Sequence, residues 1–79
     1  MNYESGESIL LGDVVSLGSD LRGTVVAIID QADYAEGYSE RDWSYLGKGV
    51  LVHTEDAGLI HEQSNLNLLL IRRGGIMEL

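Results

Sequence analysis

Gly12-Asp-Val-Val-Ser-Leu-Gly-Ser-Asp-Leu-Arg-Gly-Thr-Val-Val-Ala-Ile28 reads as strand, turn, strand. Asp13–Leu17 alternates well enough for a short strand with one buried face. Gly18-Ser-Asp20 combines a residue free to adopt positive φ with two that hydrogen-bond their own backbone, which is turn chemistry. Arg22–Asp30 is dense in β-branched side chains, whose restricted χ1 suits a pleated surface better than a helix. A lone two-stranded hairpin is marginal in water, so further strands must complete the sheet.

The chain downstream supplies them. Residues 31–38 (Gln-Ala-Asp-Tyr-Ala-Glu-Gly-Tyr) break the alternation and predict a long polar loop. Ser39–Leu46 reads as a helical turn, with Ser39 as N-cap, Asp42 three residues on in a weak capping box, Glu40 and Asp42 at the positive end, and Gly47 as the terminator. Gly49–Thr54 and Gly58–Glu62 are strands joined by a three-residue turn that ends on Gly58 in positive φ. On that reading His53 and His61 pair across the hairpin. Leu66–Ile71 is the last strand. These strands lie too close together for parallel crossovers, which need a dozen or more residues each. The fold class is therefore all-β: a small SH3-like barrel of about five antiparallel strands with one short helical turn near 39–46. An open antiparallel sheet packed on that turn is the alternative. Residues 1–79 form a single domain with its core in 12–71, an acidic-aromatic insertion at 30–45 and a tail at 72–79. Residues 1–11 are an irregular lead-in.

Within the opening stretch, Gly12, Asp13, Val15, Gly18, Arg22, Gly23 and Val25 stand where the KOW type of SH3-like barrel has its Gly-Asp, alternating valines, glycine turn and basic-glycine pair. Residues 12–28 thus resemble that family; the remainder is similar in look to small bacterial proteins of no assigned activity. The resemblance implies a five-stranded barrel and, in that family, contacts to RNA or to ribosomal and transcription proteins. The acidic insertion departs from the family pattern.

Charge argues against the nucleic-acid half of that implication. Thirteen acids face five bases, a formal charge of −8. Nucleic-acid binders neutralise phosphates with clustered Lys and Arg. Here only Arg72 and Arg73 adjoin, and an RNA-binding version would need Arg22, Lys48, Arg72 and Arg73 on one face. A basic protein partner is favoured instead, because complementary fields speed encounter and exclude wrong partners. The chain has no cysteine, which removes disulfides, thiolate metal sites and a thiol nucleophile. The longest apolar runs, Val25–Ile29 and Leu68–Ile71, fall far below the roughly 20 residues that span a bilayer. Met1–Glu7 lacks the charge and apolar segment of a signal peptide. The expected location is cytoplasmic.

The insertion holds the candidate site. Asp30, Asp33, Glu36, Glu40 and Asp42 face only Arg41, with Tyr34, Tyr38, Trp43 and Tyr45 interleaved, and Tyr3 is the one aromatic elsewhere. Rigid rings with a polar handle are typical interface anchors. Asp33, Tyr34, Glu36, Tyr38, Glu40, Asp42 and Trp43 are thus the expected partner-binding residues. The function expected is a non-catalytic, acidic protein-binding module, such as a small inhibitor or antitoxin. The competing reading has Trp43 and Leu46 plugging the barrel while the carboxylates are merely solvated.

Two weaker metal readings exist: calcium on Asp30, Asp33 and Glu36, without the spacing of an EF-hand loop, and a transition metal on His53 and His61, short of the usual three or four ligands. No Gly-x-Ser-x-Gly elbow and no phosphate loop occur, so no enzyme is expected. Ile9-Leu-Leu11 and the tail residues Ile76, Met77 and Leu79 are apolar enough to cover an open end of the barrel or to dock on a second copy of the chain.

Overall fold

The computed structural model describes residues 1–18 and 21–74. Among these residues six antiparallel strands carry the fold: β1 (Val14–Ser16), β2 (Arg22–Ile28), β3 (Asp33–Tyr34), β4 (Val50–Thr54), β5 (Gly58–Glu62) and β6 (Leu69–Arg72). Their order is β5-β4-β2-β1-β6, with β3 paired to the far end of β2. The last strand thus returns beside the first, and the sheet curls into a small barrel-like body. Among the described residues the sheet does not close: β5 and β6 remain separate edges. The one short helix, α1 (Glu40–Trp43), continues directly into a 3-10 turn at Ser44–Leu46.

The opening hairpin forms in the register its alternation requires. Val14, Val15 and Ser16 face Thr24, Gly23 and Arg22. Val15 and Val25 point inward and are fully buried, joined by Ile28 further along β2 and by Val50 and Val52 of β4. Gly23 is glycine for lack of room, since a Cβ there would lie 2.5 Å from Val52 Cγ1 and 2.7 Å from the His53 carbonyl oxygen.

The lead-in departs from expectation. Residues 1–9 double back on themselves, with Tyr3 N–H donating to the Glu7 carbonyl (2.8 Å) and Ile9 N–H to the Met1 carbonyl (3.0 Å). The loop so formed delivers Tyr3 and Ile9 into the main core, and Leu11 packs against the same cluster. Of the apolar run Ile9–Leu11, Ile9 and Leu11 thus join the main core while Leu10 is 49% exposed. Residues 75–79, with Ile76, Met77 and Leu79, lie outside the described residues, as do Ser19 and Asp20 of the first turn.

Asp13 fastens this loop. It is 1% exposed, and its Oδ2 accepts from the Tyr3 hydroxyl (2.6 Å), the Leu10 N–H (2.9 Å) and Arg73 Nη1 (2.8 Å). The same Arg73 nitrogen also donates to the Ser8 carbonyl at 2.8 Å. A buried carboxylate is tolerated only when paired and hydrogen-bonded, and here three donors meet that demand. Burial and then the adjacent Asp13 carboxylate push the Tyr3 hydroxyl pKa upward.

Three further expectations need correction. The 31–38 segment is not all loop. A 3-10 turn at Ile29–Gln31 and Ala32 in the left-handed region (φ 54°) reverse the chain, so Asp33 and Tyr34 pair with Ile28 and Ala27. The last strand begins at Leu69 instead of Leu66, because Asn65 closes a turn by accepting from the Leu68 N–H (3.2 Å). Gly58 takes the expected positive φ (74°), but the three-residue turn lies one residue earlier than read, at 55–57, with the Thr54 hydroxyl accepting from the Ala57 N–H and donating to the Gly58 carbonyl. The register therefore places His53 opposite Leu59 and Leu51 opposite His61.

Candidate functional site

The excursion from Asp30 to Lys48 leaves the sheet at the end of β2 and returns at β4. Both ends are pinned at one point. Asp30 Oδ1 accepts from the Gly49 N–H at 2.6 Å, and the Ile29 N–H donates to the Gly49 carbonyl at 2.9 Å. Asp30 therefore closes the base of the excursion, so one of its oxygens is already committed to the backbone. Ser39 caps α1 as its residue type predicts, its Oγ accepting from the Asp42 N–H at 3.3 Å.

Underneath the excursion lies a second, smaller apolar cluster of Ala27, Ile29 and Leu51, on the outer face of β2 and β4. Tyr34, Trp43 and Leu46 pack against it, each half-buried. Trp43 is therefore neither sealed inside the main barrel nor fully free. Its ring covers the sheet's outer face and keeps one part in solvent. Tyr34 turns inward far enough that its hydroxyl is buried without a hydrogen-bond partner. That burial, and secondarily the Glu40 carboxylate, raise its pKa. Tyr38 is half-buried.

Asp33, Glu36, Glu40 and Asp42 are all exposed, on one continuous excursion whose only base before Lys48 is Arg41. The aromatic most open to solvent is Tyr45, 75% exposed, which the sequence reading left out of the binding set. α1 ends at Trp43 and the chain continues as a 3-10 turn. Two residues past half-buried Trp43, Tyr45 stands about 200–240° round at either pitch and faces away from the sheet, while Leu46, three residues on, returns to it.

The metal candidates disperse. Among the described residues no three His, Asp or Glu side chains gather as a ligand set. His53 and His61 share a face but sit diagonally, and His61 Nε2 lies 2.7 Å from the Lys48 carbonyl oxygen. Of the four bases named for an RNA face, Arg22 and Arg72 do share one depression, Arg73 is turned to Asp13, and Lys48 stands at the far end of β4. Among the described residues no helix is long and apolar enough to cross a membrane. Comparison with known proteins finds no matching family model, no matching curated protein and no matching solved structure.

Proposed function

We propose that this chain is a non-catalytic acidic protein-binding module, acting in the cytoplasm as a small inhibitor or antitoxin-like protein that engages a basic partner through residues 30–45. One observation carries the reading. The excursion joins four exposed carboxylates, Asp33, Glu36, Glu40 and Asp42, to the exposed ring of Tyr45 and the half-exposed ring of Trp43. Lysines and arginines of the partner pair with the carboxylates, steering encounter. Tyr45 and Trp43 supply the rigid apolar contact that sets the lifetime of the complex. The strand order, with the last strand beside the first, supports keeping the SH3-like, KOW-type resemblance of residues 12–28 within this proposal. The net charge of −8 supports a protein target over RNA.

The test is affinity capture with the full chain at low and at high salt, alongside the triple variant Asp33→Asn, Glu36→Gln, Glu40→Gln. A partner retained at low salt, released at high salt and lost by the triple variant supports the reading. A partner held equally by both chains overturns it.

A further inference from the structure

The open sheet leaves two edges, and they differ in kind. β6 pairs with β1 through a register shift between Val14 and Val15, and it ends on Arg72. Irregular pairing and basic side chains are common means of making an edge unfit for a further strand. β5 has neither. It runs five residues against β4 without a shift, from Gly58 opposite Thr54 to Glu62 opposite Val50, and holds no lysine, arginine or proline.

The register fixes which backbone groups of β5 are spare. Val25 is bonded on the β1 side, its carbonyl accepting from the Gly12 N–H (2.9 Å) and its N–H donating to the Asp13 carbonyl (2.9 Å). Opposed residues of an antiparallel pair either bond each other or both turn away. Val52, opposite Val25, therefore turns to β5 and meets Ile60. Leu59 and His61, on either side of Ile60, aim their N–H and C=O off the sheet. Among the described residues no backbone group takes them.

This spare edge is continuous with the excursion. Leu59 packs against the outer cluster that Trp43 and Leu46 roof, and His61 Nε2 lies 2.7 Å from the Lys48 carbonyl oxygen at the excursion's foot. Residues 30–62 hold eight of the thirteen acids and two of the five bases, Arg41 and Lys48. Acids prevail even with Arg22 set beside Glu55 by the pairing of Gly23 with Thr54. Such a surface repels a second copy of a chain of charge −8. It attracts an extended segment rich in lysine or arginine.

We infer that a basic segment of the protein partner adds to the sheet as a strand beside β5, bonding the backbone of Leu59 and His61. The inference rests on the partner-binding reading and names the form in which the partner arrives. Alternate residues of the added strand fall on opposite faces. Basic side chains lie on the outer face beside the excursion, and apolar ones on the inner face beside half-buried Ile60. Backbone bonds supply the affinity and side chains the choice of partner.

The probe is the blocked peptide acetyl-Lys-Val-Lys-Val-Lys-Val-amide, titrated into the isotope-labelled full chain and followed by amide NMR and hydrogen exchange. Saturable binding should slow exchange of the Leu59 and His61 amides tenfold or more. The Glu-Val-Glu-Val-Glu-Val counterpart should not bind. N-methylation of the lysine peptide's amides keeps its charge and side chains and should weaken it tenfold or more. His61→Pro removes one spare donor from an edge strand, where proline is tolerated, and should also weaken binding; His61→Ala keeps that donor and should not. Equal binding of the N-methylated peptide overturns the inference, as does protection of Leu59 and His61 by rising concentration of the chain alone. The triple variant of Asp33, Glu36 and Glu40 separates the two readings. Protection of Leu59 and His61 that survives it unweakened upholds the strand and counts against the excursion. Peptide shifts confined to residues 33–45 overturn the strand and leave the excursion reading standing.

Discussion

The two faces of the β2–β4 pair carry similar side chains into different surroundings. On the inner face, Val25, Val50, Val52 and Ile28 are closed over by Tyr3, Ile9 and Leu68, all buried. On the outer face, Ala27 and Leu51 are roofed only by half-buried Trp43 and Leu46, and two residues further on the roof stops altogether. Burial of apolar area supplies most of a small domain's stability. The inner face therefore holds the fold, and the outer face is where residues are at liberty to present chemistry. Asp33, Glu36 and Tyr45 on the excursion, and Arg22 and Arg72 in the depression they share, all belong to the second kind.

Substitutions on the two sides should separate accordingly. Ile9→Ala removes a side chain with 0% exposure from the inner cluster and should cost about 2–5 kcal/mol in urea unfolding; a loss under about 1 kcal/mol would mean that the N-terminal loop is not part of the core. Trp43→Ala should cost about 2 kcal/mol, less than the ~3–5 typical of a sealed aromatic, and should also weaken the partner. A full core-sized loss would break the contrast between the faces.

Tyr3→Phe should cost about 1.5 kcal/mol at neutral pH, the low end for one hydrogen bond to a charged group because two other donors remain on Asp13, and should leave a distinct signature in alkali. The Tyr3 pKa is raised in the folded chain, so the unfolded chain releases this proton first. The stability it contributes is whole below pH 10 or so and declines above that. Thermal melts from pH 8 to 12 should thus fall less steeply for the variant. Some slope will remain from Tyr34, whose pKa is also raised. Identical slopes would remove the Tyr3 hydroxyl from the donors that hold Asp13. Smallest on stability is Tyr45→Ala, under about 0.5 kcal/mol for an exposed side chain, yet it should weaken capture of the partner. Unchanged capture would strip the excursion of its most exposed ring.

What the sequence made legible was local chemistry. The pairing of β1 with β2, the Ser39 cap and the positive φ of Gly58 each depend on residues within a few positions of one another, and each is found. Tyr3 in the core was not legible, because its burial depends on a loop folding across strands far along the chain. Nor was β3, whose two residues are strand only because Ala27 and Ile28 lie beside them. The histidine register missed by two positions, since the loop length was right but its flanking pair is Thr54 and Gly58. At the candidate site the carboxylates were placed by composition alone. The rings were not, because which of them faces water depends on Trp43 and Leu46 seating on Ala27, Ile29 and Leu51 from other parts of the chain.

Asp13 lends the molecule a property that no single strand has. One oxygen receives Tyr3 and Leu10 from before the first strand and Arg73 from after the last. Were either side to peel away, an anion would be left facing hydrocarbon with its counter-charge or its donors gone. Fraying at one end therefore raises the free energy of the other, and the two flanks should exchange their amide hydrogens as one cooperative unit.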